Sequence, residues 1–207
     1  MIQIDTKPIK FTLPSNRCNK LFETIKSQNG LIFNLEYHQK RLNRTFQELF
    51  NKKSDINLSK ILKPTINLHK IKVIYSSSGI EDISYYIYKA KSIKSIKLVE
   101  IGDFEYNFKF TNRELFNKLS QVYPNIDEFI LLKNGFLTDT TIANIALKSK
   151  EDNIWYTPTK PLLNGTYRQK LLDLSKIKQK RIHYKDLINY SNLATLNAMV
   201  GFNILKV

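Results

Sequence analysis

The sequence predicts an α+β fold arranged as two domains. Two Asn-Gly dipeptides, each lying between apolar runs, mark hairpins, and between Tyr37 and Phe50 the apolar residues recur at helical spacing. The second half alternates short apolar runs with polar loops, a pattern of buried strands. With 207 residues, 42% of them hydrophobic, the chain can bury a core in one large domain or two small ones without cross-links.

The division is expected at residues 1–100 and 101–207. In the first part, residues 21–27 and 31–35 flank Asn29-Gly30, residue types that accept the positive φ angles of a two-residue hairpin turn. The helix that follows, Tyr37 to Phe50, sets Leu42, Phe46, Leu49 and Phe50 on its apolar side and carries His38, Arg41 and Arg44. A second helix is expected over 57–63, ended by Pro64. The β-rich runs 71–76 and 82–89 around Ser-Ser-Gly complete a small α+β unit.

In the second part, the aromatic alternation Tyr106-Asn107-Phe108-Lys109-Phe110 predicts a strand, and Leu115, Leu119 and Val122 a helix. Phe129 to Leu132 reads as a buried strand that Asn134-Gly135 turns back into Phe136 to Thr138. Ala143 to Leu147 and Trp155-Tyr156 are further strands, Pro158 and Pro161 bracket a loop, and 165–174 reads as a helix opened by glycine and threonine. Leu193 to Val207 is apolar enough to be tied into the core.

A formal charge of +15 invites a nucleic-acid reading, because clustered cations release counterions from phosphate backbones. The distribution argues against it. The chain has 27 Lys and 6 Arg, the lysines scattered singly or in pairs, whereas planar recognition of phosphate favours arginine. The single cysteine, Cys18, excludes an intramolecular disulfide and a cysteine-cluster metal site, and no metal-ligand spacing is present. His69 and His183 sit in Lys-rich, exposed-looking segments. The N-terminus lacks the charged head and long apolar run of a secretory signal, and no stretch approaches ~18 apolar residues. A cytoplasmic protein with no membrane and no nucleic-acid partner is therefore expected.

Three features of the second half bear on chemistry. Lys109 lies within the aromatic alternation, where a lysine either faces solvent or is desolvated into a nucleophile. Asp139 stands among Thr138, Thr140 and Thr141 beside buried strands, as a turn cap or as a sheltered counter-charge. Gly165-Thr166 opens a helix whose free N–H groups can cradle an anion. Each has an ordinary structural reading alone. Together, an amine nucleophile, a sheltered carboxylate and an anion cradle match the needs of pyridoxal 5'-phosphate.

At these residues the chain resembles the class IV aminotransferase family, a two-domain fold shared with aminodeoxychorismate lyase. Phe22-Glu23-Thr24, an Asn-Gly hairpin and His38-x-x-Arg41-Leu42 are similar to the family's opening pattern; Lys109 through Asn112-Arg113 to the Schiff-base segment in its lyase-like form. Asp127-Glu128 through Asn134-Gly135 and Asp139 to Asn144-Ile145 resembles its longest signature, and Thr157-Pro158 with Leu163-Asn164-Gly165-Thr166-x-Arg168 its phosphate cradle. The resemblance implies Lys109 as the catalytic residue and a cofactor held by Arg41, Arg113, Asp139, Thr140, Thr141, Gly165 and Thr166. It implies Thr24, Arg168 and Asn197 toward the substrate, His38 in packing or orientation, the cofactor between two domains, and a homodimer whose partner helps wall the pocket.

Two departures stand out. Asp139 occupies a position where glutamate is usual, and the segment before Phe22 is expected to lack the strand and glycine-rich turn that typically precede it. Arg113 and the tail Asn197-Ala198 favour a lyase that expels pyruvate from aminodeoxychorismate to leave 4-aminobenzoate, an intermediate of folate synthesis. The alternatives are an aminotransferase acting on branched-chain or D-amino acids and, from another class, a non-catalytic basic binding module on the same scaffold.

Overall fold

The structure, a computed structural model, describes residues 2–5 and 20–205, with the backbone course alone for 2–5. Cys18 lies outside the described residues. The chain divides into two compact units, one of residues 1–15, 91–107 and 113–207, the other of 16–90 and 108–112. This differs from the expected division at 100: residues 2–5 and the connection after 90 group with the C-terminal part, and Phe108–Asn112 groups with the other unit.

The smaller unit is a four-stranded antiparallel sheet in the order β3-β2-β4-β5, formed by β2 (Leu21–Gln28), β3 (Leu31–Ile32), β4 (His69–Ser76) and β5 (Gly79–Ile87). Asn29 and Gly30 take φ 54° and 74°, the turn the sequence predicts. The sheet is covered by α1 (Leu35–Phe50), and the expected second helix is a single turn, α2 (Leu58–Ile61), which stops before Pro64 restricts the residue preceding it. Alternation along β2 buries Leu21, Glu23, Ile25 and Ser27, and the apolar ones pack with Ile71, Val73 and Tyr75 of β4 against Leu42 and Phe46.

The larger unit is a nine-stranded mixed sheet. Its strands are β1 (Ile2–Asp5), β6 (Ile96–Glu100), β7 (Glu128–Lys133), β8 (Phe136–Thr140), β9 (Asn144–Ser149), β10 (Trp155–Pro158), β11 (Lys178–Lys180), β12 (Tyr190–Asn197) and β13 (Gly201–Ile204). The order is β1-β6-β7-β8-β9-β10-β11, with β12 paired to β9 and β13. Helices α3 (Glu114–Val122) and α4 (Thr166–Asp173) and a short 3-10 turn, Tyr184–Asn189, complete it. Ile96, Leu98, Ile130, Leu132, Leu137, Ile145 and Leu147 form the main core, and Leu193 and Leu205 tie the C-terminal segment into it.

Three expectations are corrected. The segment before Phe22 does contain a strand, β1, parallel to β6 with Ile2 opposite Ile96. Tyr106–Phe110 forms no strand of the larger sheet; it makes one isolated bridge, Phe110 to Leu21. Here Phe22 N donates to Lys109 O (2.9 Å) and Thr111 N to Lys20 O (2.9 Å), so the segment lies along β2. His69 and His183 are half-buried, and the His183 side chain caps the 3-10 turn by accepting from Lys185 N. Among the described residues, no helix is long and apolar enough to cross a membrane.

Candidate active site

In the smaller unit the candidate residues lie on β2, on α1 and on the 108–112 segment. The pairing of Lys109 with Phe22 places its half-buried side chain over the Phe22 ring, with Nζ 4.5 Å from the ring centroid. Thr24, two residues along the same face of β2, is half-buried and opposite Lys72.

On the other face of β2, inside the core, stands Glu23. Its Oε1 accepts from Arg41 Nε (2.8 Å), and its Oε2 accepts from Arg41 Nη2 and from His38 Nδ1 (2.6 Å). Burial alone would raise this carboxyl, but the charge of Arg41 and the hydrogen bond from His38 outweigh it and hold its pKa down at about 2. Burial pushes His38 below the usual imidazole range, against the opposing influence of Glu23. Arg41, expected at the cofactor phosphate, is thus also half of a buried ion pair, and Glu23 is the residue sequence reasoning left without a role. A Glu in an alternating strand, with His and Arg three apart on the next helix, was the available signal.

In the larger unit the site is built where β8 turns into β9. Asp139 pairs directly with Asn144, and both are 4% exposed. Asp139 Oδ1 accepts from Asn144 Nδ2 (2.6 Å) and Oδ2 from Leu163 N (2.8 Å). Burial is the dominant influence on this carboxyl and raises its pKa to about 7, against the Leu163 amide, Asn144 and the charge of Arg168. Asn144 Nδ2 also donates to Leu163 O (2.8 Å), which ties the loop after β10 to the strand pair. The same amide dictates Gly165: a Cβ there would stand 1.9 Å from Asn144 Oδ1.

Thr140 and Thr141 shape the turn between the strands. Thr140 Oγ1 accepts from Ile142 N (3.2 Å) and Ala143 N (3.0 Å), while Thr141 Oγ1 donates to Glu128 Oε1 (2.6 Å). Arg113, at the start of α3, donates from Nη2 to Thr141 O and stacks its guanidinium 4.4 Å from the Phe116 ring centroid. Gly165 caps the eight-residue helix α4, with Thr166 buried at its first turn.

Two residues expected toward the substrate make structural hydrogen bonds. Arg168 is 3% exposed, and its guanidinium donates to Thr157 Oγ1 (3.1 Å), Asn164 Oδ1 (3.5 Å) and Pro158 O (2.8 Å), bracing α4 against β10. Asn197 Oδ1 accepts from Met199 N and Val200 N, both at 2.9 Å, which makes it the cap of the β12–β13 turn.

A Haemophilus influenzae protein of uncharacterised function is 34% identical over 187 residues, spanning 87% of this chain and 98% of its own. Residues 106–206 match the family model for amino-transferase class IV. The chain belongs to the class IV aminotransferase family. It is thus an enzyme with that family's mixed α/β fold. A structure from Haemophilus somnus, whose assignment as a 4-amino-4-deoxychorismate lyase is itself provisional, is 31% identical with a TM-score of 0.79, covering 88% of this chain and 97% of its own. A hypothetical aminotransferase from Mycobacterium tuberculosis in its PLP-bound form shares the fold at 14% identity, with a TM-score of 0.77 over 91% of this chain and 81% of its own.

Proposed function

We propose that this enzyme is a pyridoxal-phosphate-dependent lyase that converts 4-amino-4-deoxychorismate to 4-aminobenzoate and pyruvate. The observation that carries the reading is the 31% identity extending over 97% of the Haemophilus somnus chain. The lyase-like pair Asn112-Arg113 after Lys109 agrees with it.

The donor set fits the cofactor: a half-buried primary amine, a buried carboxylate, a buried guanidinium and a helix that opens on glycine. When bound, the cofactor supplies a protonated ring that accepts electron density from the substrate's α-carbon. Lys109 would hold it through Nζ, and the same Nζ would be the base for the substrate's α-proton. Asp139, in its ionised form, would supply the negative charge that keeps the ring nitrogen protonated. Arg41, the Thr140-Thr141 turn and the N–H groups at Gly165-Thr166 would hold the phosphate. Arg113 fixes that turn through Thr141 O.

The reaction divides one substrate into two products with no amino acceptor. Holo-protein given aminodeoxychorismate alone is therefore expected to release pyruvate and 4-aminobenzoate in equal amounts. Glutamate formed from a branched-chain amino acid plus 2-oxoglutarate, without pyruvate release, would overturn the lyase reading for a transferase. Failure of borohydride to trap an adduct on Lys109 would overturn both.

A further inference from the structure

A carboxylate at 0% exposure on the core face of a strand is costly unless fully paired, and Glu23 is paired twice over. His38 and Arg41 lie three residues apart on α1 and share the face that meets β2. Glu23 being ionised, its oxygens only accept, so His38 Nδ1 carries the proton and donates it to Oε2. Arg41 Nε and Nη2 meet the two oxygens as a fork, which fixes the plane of the guanidinium and occupies its Nε–Nη2 edge. His38 pins the oxygen that takes Nη2, so the carboxylate cannot swing away from the fork.

This inference rests on the phosphate role given to Arg41 above. We propose that Glu23 and His38 are positioning residues: they hold the Arg41 guanidinium in one orientation and so set how strongly the protein prefers phosphorylated over unphosphorylated pyridoxal. A neutral core pair would have filled the space equally well, and burying an ion pair adds little net stability. The arrangement buys orientation of a cation already in place before any anion arrives.

The test is equilibrium binding of pyridoxal 5'-phosphate and of pyridoxal to the cofactor-free protein, expressed as the dissociation constant of pyridoxal divided by that of the phosphorylated compound. Glu23→Gln and His38→Leu are expected to reduce that ratio by about ten- to a hundredfold, the effect of losing hydrogen bonds that orient a charged group. His38→Asn, whose Nδ2 can replace the imidazole donor, is expected to retain most of it. A purely structural role would lower the melting temperature and weaken both ligands alike, leaving the ratio unchanged, and that result overturns the inference. So does a ratio lost equally in His38→Asn and His38→Leu, both folded by circular dichroism. Should wild-type protein bind neither compound, the proposed function itself fails. Should it bind both while Glu23→Gln keeps the wild-type ratio, only the positioning role does.

Discussion

Asp139 binds its proton more tightly in the folded chain than in the unfolded one, and that has a measurable sign. Its pKa rises from 3.8 to about 7 on burial, so below pH 4 both states are protonated and the group costs nothing. Between pH 4 and 7 the unfolded chain ionises first, and stability from this residue falls by at most ~1.4 kcal/mol per pH unit, the full loss being reached above pH 7. Asp139→Asn is expected to lose this decline, so the stability difference between the two cofactor-free proteins should itself fall with pH, measured by urea unfolding from pH 5 to 8. The variant should still start from lower stability, because one of the two donors, Asn144 Nδ2 or Leu163 N, would then face an amide N–H. Glu23 has the opposite sign. Its carboxyl is held at about 2 against an ordinary 4.5, so its contribution is complete above pH 4.5 and is lost as pH falls toward 2. Glu23→Gln should therefore unfold with a shallower acid limb than wild type in a pH titration followed by circular dichroism.

At the scale of elements, the join of β8, β9 and α4 depends on a single amide. Gly165→Ala would place a methyl 1.9 Å from Asn144 Oδ1 and is expected to cost about 1–3 kcal/mol in denaturant unfolding. Asn144→Ala removes the obstacle but strips a donor from Asp139 Oδ1 and Leu163 O, at a similar ~1–3 kcal/mol. The double variant should therefore lose less than the two singles combined; strict additivity would refute the contact. What the sequence disclosed of these elements follows the same physics. Both Asn-Gly turns were legible because positive φ is a local property of the two residues. Gly135 carries a further requirement that was not legible, since a Cβ there would lie 2.4 Å from His183 Nε2, far along the chain. The aromatic alternation around Lys109 suggested a strand of its own domain, yet its partner is β2, more than 80 residues earlier, and periodicity names no partner. Lys109, Asp139 and Gly165 were visible as residue types in order. The burial of Glu23 with Arg41, and of Arg168, arises only from tertiary packing.

At the scale of the whole molecule, each unit has its own core, and the chain crosses from one to the other and back. Some of the scattered lysines pack on aromatic rings: Lys26, Lys70, Lys97 and Lys180 each stand about 5 Å over one, Phe33, Tyr86, Tyr123 and Tyr156. The proposed function assigns roles to Lys109 and Arg41 in one unit and to Asp139 and Gly165 in the other, so it can be tested in each unit separately. At a hundred times its dissociation constant, pyridoxal 5'-phosphate should add ~2.7 kcal/mol to unfolding. Amide exchange should then slow both along β2 and around α4. Lys109→Ala is expected to keep the phosphate-dependent part of this protection and lose the part that survives dilution of free cofactor, because only the amine holds the ligand covalently. Protection confined to the larger unit in wild-type protein would mean that Lys109 and Arg41 take no part in binding, whatever the family resemblance implies for them.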